Sequence, residues 1–293
     1  MAITYLKQAD IDKNLWDGCV IEAPNGRIYG MSWYLDLVCQ NWDALVLNNY
    51  EAVMPLPWKQ KFGIKYSYHP WFAQQLGIFG KEPELYKVSD FVAAIPNLFF
   101  RYEVSFNSMN TIGLPKATQR PNYVMPLNDD YSTLYQRFNE NTQRNIKKAN
   151  KLGFSITKNL TSDEYIKLML NEIGFLMNEK QQGILKKLID FLFQNKYAEL
   201  IGIENEKREL LGAVCLVQFK NRIIYLFSAS TQQGKDTRAM FKIVDEIIRS
   251  KSGKPLLLDF EGSINEGIAR FYKGFGSQAE FYYSVNKKWH WFI

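Results

Sequence analysis

The sequence predicts an α/β protein of the α+β kind, with mixed sheets, built as two domains that repeat one plan. Three observations point there. At 293 residues the chain exceeds the usual single-domain size. Each half reads in the order β-α-α-β-β-β-α-β. Hydrophobic residues make up 46% of the chain and aromatic residues 15%, enough to fill two cores.

In the first half, a short strand at 4–6 leads to a helix near 12–19 and another at about 32–40. Strands at 42–47 and 50–57 are joined at Asn48-Asn49, a natural hairpin turn. Strand-like segments at 64–68 and 74–79 precede a helix near 83–94 and a strand near 98–104. Pro115, Pro121 and Pro126 mark the crossing to the second half, which sets the expected domains at 1–121 and 122–293.

The second half opens with one basic helix over 129–152. Leu134, Phe138, Ile146 and Ala149 keep near-helical spacing, Asp129 or Asp130 caps the start, and Gly153 stops it. A strand at 154–158 follows. Thr161-Ser-Asp-Glu164 is a capping box that opens a helix to about 179, and a second helix covers about 184–194. Three strands at 198–203, 210–219 and 223–230 are linked by charged turns. A helix at 237–251, a strand at 255–260, a helix at 265–275 and a strand at 279–287 complete the order.

Composition narrows the chemistry. A net charge of +6 and a pI near 9.0 favour an anionic ligand such as a nucleotide, a coenzyme pyrophosphate or RNA. With only His69 and His290, and with Cys19, Cys39 and Cys215 in no metal-ligand spacing, neither a metal site nor a Ser-His-Asp triad is expected. Acid–base chemistry falls to carboxylates, Tyr, Lys or a backbone carbonyl. The odd cysteine count fits a reducing compartment, and no apolar run approaches the roughly 20 residues of a membrane span. A cytoplasmic protein without a transmembrane segment is expected.

The segment from Asp259 to Gly276 places Asn265 at a helix start, Tyr272 two turns later and Gly276 at its stop. This Asn-x6-Tyr-x3-Gly spacing resembles the last helix of the GNAT (Gcn5-related N-acetyltransferase) superfamily, and the element order of the second half matches that fold. Two such domains, with Arg144-Asn-Ile-Lys-Lys-Ala149 just past the crossing, look like the Fem-type (FemAB-like or BioF2-like) acyltransferases. The resemblance implies two GNAT-like domains in tandem and transfer of an activated acyl group to an amine, on a cell-envelope or polysaccharide precursor. It implies no tightly bound cofactor, with acyl-coenzyme A or aminoacyl-tRNA as donor substrate. Two departures bear on the donor. The coiled-coil arm of some Fem-type enzymes is missing before the strand at 198, which weakens the case for tRNA. The GNAT pyrophosphate loop corresponds here to Thr231-Gln-Gln-Gly234-Lys-Asp236, where only the central glycine matches.

The candidate residues follow. Tyr272 supplies a proton to a departing thiolate or ribose oxygen, or is a packing residue. Glu261, at the carboxyl end of the strand at 255–260, orients or deprotonates the attacking amine, or caps the next helix; Asp259 alternates with it. On the donor side, Asn265 and Gly234 come with the resemblance, and Lys235 and Arg238 flank a helix start suited to an anion that Asp236 opposes. Arg144, Lys147, Lys148 and Lys151 form a cationic stripe at i, i+3, i+4 and i+7, for phosphates of an acceptor or tRNA, or else a solvated face. Gln74, Gln75 and Tyr34 are expected at a cleft as acceptor contacts. In the aromatic–basic run 57–72, Lys59, Lys61 and Lys65 are expected to stay wet. The alternative function is a nucleotide- or RNA-binding module that keeps the fold without its chemistry.

Overall fold

A computed structural model describes residues 2–113, 117–262 and 265–287. The chain divides into two compact units, Met1–Pro121 with Phe281–Ile293, and Asn122–Glu280. The end of the expected second domain thus groups with the first, because residues 283–287 pair antiparallel with residues 102–106. Pro115 lies outside the described residues.

The first unit runs β1 (Ile3–Leu6), α1 (Lys13–Glu22), α2 (Ser32–Val38), β2 (Asn41–Leu47), β3 (Ala52–Lys61), β4 (Ile64–Ser67), β5 (Phe79–Gly80), α3 (Val88–Ala93) and β6 (Tyr102–Phe106). Its antiparallel sheet has the order β1-β2-β3-β4, with β5 on β3. Asp12 starts α1 by accepting from the Asn14 and Leu15 amides. The β2–β3 hairpin turns at Asn48 and Tyr50, both at positive φ. Trp16 and Trp42 are fully buried with ring centroids 5.0 Å apart, and the Trp16 indole donates to the Gly30 carbonyl at 2.8 Å.

Two expected elements are shorter than their patterns suggest. Of the segment 74–79 only Phe79 is strand, in the two-residue β5, and the side-chain amides of Asn25, Asn107 and Asn110 take the Ile78 carbonyl in place of a ladder partner. The helix at 83–94 contracts to α3, with Lys87 at its N-cap. Lys65 is not wet. Its ammonium lies 2.5 Å from the buried Asp43 carboxylate and 3.8 Å above the Trp58 ring.

The second unit follows β7 (Thr118–Pro126) with α4 (Tyr131–Gln136), α5 (Glu140–Asn150), β8 (Ser155–Thr157), α6 (Ser162–Ile173), α7 (Glu179–Gln194), β9 (Ala198–Glu204), β10 (Leu210–Phe219), β11 (Arg222–Ser230), α8 (Gln232–Asp236), α9 (Ala239–Lys251), β12 (Leu257–Asp259) and α10 (Glu266–Gly274), which leads into β13 (Gln278–Lys287). The strand order is β7-β12-β11-β10-β9-β8, antiparallel except for the parallel pair β11–β12. Strand β7 occupies the proline-marked crossing.

The basic helix expected over 129–152 is two helices. Asp130 caps α4, and Asn139 caps α5 by accepting from the Thr142 amide at 2.8 Å, so the chain turns at buried Phe138. The expected capping box at Thr161 and Glu164 opens α6, and a second at Asn178 and Gln181 opens α7 earlier than the apolar spacing indicates. Ile243, Val244, Ile247 and Ile248 of α9 and Ile146 of α5 join the sheet's core. Each such buried side chain contributes about 2 kcal/mol. Among the described residues, no helix is long and apolar enough to cross a membrane.

Candidate functional site

The site begins with a divergence of strands. β11 and β12 pair only from Arg222/Leu257 to Ile224/Asp259. Beyond that point the chain after β12 follows β7: the Phe260 amide donates to the Tyr123 carbonyl at 2.9 Å, and the Tyr123 amide to the Glu261 carbonyl at 3.1 Å. β11 instead continues beside β10 to Ser230. A pocket of about 290 Å³ lies here, lined by Tyr225 and Ser228 of β11, by Gly234, Lys235 and Arg238, and by residues of α9 and α10 that include Tyr272. Four sequence candidates therefore meet: Gly234, Lys235, Arg238 and Tyr272.

Tyr272 is set by aromatic packing. Its ring stacks on Phe260 at 4.9 Å and meets Tyr225 edge-on at 6.1 Å. Among the described residues its hydroxyl has no hydrogen-bond partner. Burial, reinforced by the nearby Tyr225, Glu261 and Asp259, holds the phenol's pKa well above its ordinary value. The group is a neutral O–H donor at working pH. Buried Tyr225 is hydrogen-bonded to Ser228, which keeps that phenol from competing.

The connection from β11 to α9 is fixed to β10. The Leu211 carbonyl accepts from the Thr231 amide at 2.9 Å and from its hydroxyl at 3.1 Å. A Cβ on Gly234 would come within 2.2 Å of that same carbonyl, so the position requires glycine. Arg238 then adopts a left-handed conformation, φ 64°, and starts α9 two residues after the helix expected from 237, while Gln232–Asp236 form the additional short helix α8. No side chain caps α9, so its first amides have no side-chain acceptor, with Lys235 and Arg238 nearby. Lys235 pairs with Glu172 at 3.6 Å. Asp236 binds Gln232 along α8 and is not part of the pocket lining.

Glu261 lies beyond β12 with φ 60°, its amide donating to Asp259 Oδ1 at 2.8 Å. Its charge reaches Tyr272. Asp259 serves the frame: it is buried and bound to Arg222 at 2.5 Å, and Arg222 also holds Glu280 at 3.1 Å. Asn265 departs from the expected donor contact. Its side-chain oxygen caps α10, accepting from the Gly267 amide at 2.9 Å and the Ile268 amide at 3.3 Å, and it does not line the pocket.

The remaining candidates lie elsewhere. Tyr34, expected at a cleft, is wholly buried, and its hydroxyl donates to the Phe72 carbonyl at 2.6 Å. Gln75 is buried as well, bound to the Gln74 side chain at 2.9 Å and to the Ser108 amide at 3.0 Å. Long-range partners, invisible in the sequence, satisfy both. Arg144, Lys147, Lys148 and Lys151 do share one open groove of about 540 Å³ along α5, opposite the buried Thr142, Ile146 and Ala149. Among the described residues, no group of three or more His, Cys, Asp or Glu is arranged to hold a metal ion.

Sequence reasoning missed Tyr225, Ser228, Met240, Phe241, Gly267, Ile268 and Phe271 as pocket lining. Phe271 was visible only as part of an apolar helix face, and α9 gave no sign that its partly buried Met240 and Phe241 would line a pocket.

No family model matches the chain, and no curated protein matches it. Solved structures do. FemX aligns over 97% of this chain and 97% of its own, with a TM-score of 0.65 and 13% identity. A conserved protein of unknown function from Bacteroides thetaiotaomicron covers 98% of this chain and 100% of its own, at 0.63 and 9%. L-PGS from Bacillus licheniformis covers 93% and 90%, at 0.54 and 10%. The chain therefore has the fold of FemX, the two-sheet mixed α/β arrangement that its resemblance to the GNAT superfamily implies.

Proposed function

We propose that the chain is an acyltransferase that moves an acyl or aminoacyl group from an activated donor to an amine, on a small molecule or a cell-envelope or polysaccharide precursor. One observation carries the reading: where β11 and β12 part, a pocket brings the Tyr272 phenol, without a hydrogen-bond partner among the described residues, together with the start of α9, which no side chain caps, and with Lys235 and Arg238. Phosphates of the donor lie at the α9 amides and the two cations, where a helix start favours negative charge. The acyl carbon lies near Tyr272. The amine attacks that carbon, a C–N bond forms, and the C–S or C–O bond to the carrier breaks. The leaving thiolate or alkoxide takes the Tyr272 proton, and the proton lost by the amine passes to Glu261. Most of the acceleration comes from holding amine and acyl carbon together.

The test is a transfer assay on Tyr272→Phe and Glu261→Gln with acyl-coenzyme A and aminoacyl-tRNA donors. Wild-type turnover in a folded Tyr272→Phe protein removes the phenol from the reaction. A second reading is favoured by the α5 groove: the stripe from Arg144 to Lys151 binds a polyanion, either the phosphates of the acceptor or RNA without chemistry. RNA affinity that does not fall with salt, or survives Arg144→Ala and Lys148→Ala unchanged, eliminates it.

A further inference from the structure

The hairpin that joins β3 to β4 ends in a two-residue turn, Phe62-Gly63, closed by the cross-strand pair Lys61 and Ile64. Both turn residues lie at positive φ, 50° and 77°. Such a turn suits Asn-Gly, and a phenylalanine at its first position occupies a backbone region costly for a bulky side chain. Phe62 recovers nothing from the fold for that cost, since it is 90% exposed. The turn is nonetheless held in shape, because the Gln60 side-chain amide donates to the Gly63 carbonyl at 3.0 Å.

Two further apolar residues are exposed beside the tip. Ile64 is 42% exposed, and Leu98, 50% exposed, precedes Phe99, which bridges in parallel to Lys65. Leu98 and Ile64 therefore hold neighbouring positions on adjacent segments. The register Lys59–Tyr66 and Lys61–Ile64 puts these four residues on one face of the hairpin. Cations lean on its rings: Lys61 lies 5.4 Å over Phe62, Lys59 4.2 Å over Tyr68, and the Arg101 guanidinium 4.8 Å over Tyr66. Among the described residues, none of these three cations pairs with a carboxylate. The stretches 52–81 and 91–102, which build this edge, contain neither Asp nor Glu. Lys65, on the opposite face, is neutralised by Asp43.

A protruding apolar tip ringed by unpaired cations fits a surface that is negative outside and apolar within. An anionic lipid bilayer is such a surface: apolar side chains enter the acyl boundary while Lys and Arg extend to the headgroups. A polyanion in water would meet the cations and leave Ile64 and Leu98 uncovered. We propose that the β3–β4 hairpin docks the chain on an anionic membrane surface, with Phe62 entering the acyl boundary and Lys59, Lys61 and Arg101 at the lipid phosphates. No residue of this tip lines the pocket at Tyr272, so the inference stands apart from the acyltransferase reading.

The experiment is co-sedimentation of the full chain with vesicles of phosphatidylcholine alone and of phosphatidylcholine mixed with phosphatidylglycerol. Binding is expected to the mixed vesicles, with little to the neutral ones. Phe62→Asn, a residue the turn prefers, should weaken it about tenfold with folding intact. Lys59→Gln with Lys61→Gln should weaken it by a similar factor, and the remaining affinity should depend less on salt. No binding to the mixed vesicles, equal binding to both kinds, or unchanged binding of Phe62→Asn overturns the proposal. Without vesicle binding, a dimer in gel filtration that Phe62→Asn abolishes reassigns the tip to contact between copies of the chain. Binding to a homopolymeric RNA that falls with Phe62→Asn, again without vesicle binding, reassigns it to nucleic acid, and either result overturns the membrane surface as partner.

Discussion

Asp259 accepts a hydrogen bond from the amide of Glu261, two residues on, at 2.8 Å. That bond closes a tight local loop and holds Glu261 at φ 60°, a backbone region costly for a residue with a side chain. Asp259 is itself anchored by Arg222, so a buried ion pair at the foot of β11 fixes where the Glu261 carboxylate begins. Asp259→Asn is expected to lower stability by about 3 kcal/mol, because among the described residues it leaves Arg222 with only Glu280 for a counter-charge. Urea unfolding measures this, and a loss below a few tenths of a kcal/mol would show that Glu280 suffices alone.

Tyr272→Phe removes a hydroxyl with no hydrogen-bond partner among the described residues, so stability should stay within about 1 kcal/mol of wild type. Turnover should fall about a hundredfold, the scale of a lost general acid. Parallel unfolding curves and steady-state rates separate the two effects. Because burial holds the phenol's pKa well above 10, no alkaline loss of activity below that pH should be traceable to Tyr272.

Gly234→Ala places a methyl where the Leu211 carbonyl already stands. The loop must move to accept it. A destabilisation of about 2 kcal/mol and weaker binding of anionic donors are expected together, read by unfolding and by calorimetry.

His69 carries a pH dependence. Its ring as a whole is half-buried, but Nδ1 is sealed from solvent with no partner among the described residues, and burial lowers the pKa from 6.5 to about 4. The unfolded chain takes up a proton near pH 6.5, the folded chain only near 4. Between these values the unfolded state binds more protons, so stability falls as pH drops through that window, by on the order of 1–3 kcal/mol. Unfolding free energies at pH 4 and 7 for the wild type and His69→Gln test this; an equal slope in both assigns the effect elsewhere.

Arg144→Ala with Lys148→Ala leaves the buried face of α5 intact, so stability should move by less than about 0.5 kcal/mol. Binding of a polyanion should weaken and its salt slope should shrink. Filter binding across a salt series gives both quantities.

What was legible in the sequence was local. The box at Thr161 and Glu164 and the turn at Asn48 depend on neighbours a few residues away, and both formed as their patterns indicate. The spacing from Asn265 to Gly276 located α10 and brought Tyr272 to the pocket. Strand β7 was hidden because Pro121 and Pro126 remove ladder donors, the usual sign of a strand's absence. Helix α8 was hidden because Gly234 stands in its middle, and glycine is a poor helix former. Asn265, Tyr34 and Gln75 presented polar groups that the folded chain spends on its own backbone or amides. Side-chain chemistry alone could not distinguish such groups from ligand contacts, since the Phe72 carbonyl that Tyr34 binds and the Ser108 amide that Gln75 binds are more than thirty residues away.

The grouping of Phe281–Ile293 with Met1–Pro121 has a consequence for synthesis. On the ribosome, β6 emerges early, but the strand that pairs with it is made only after all of Asn122–Glu280 has been translated. At roughly 5–20 residues per second that is a wait of about ten to thirty seconds. The second unit is continuous in the chain, and its ends are tied by Asn122 donating to Glu280 at 3.1 Å. It has everything it needs first. The unit that holds β6 is therefore completed after the unit that follows it in the chain, and during that interval β6 lacks its β13 partner and is an edge of the kind chaperones cover.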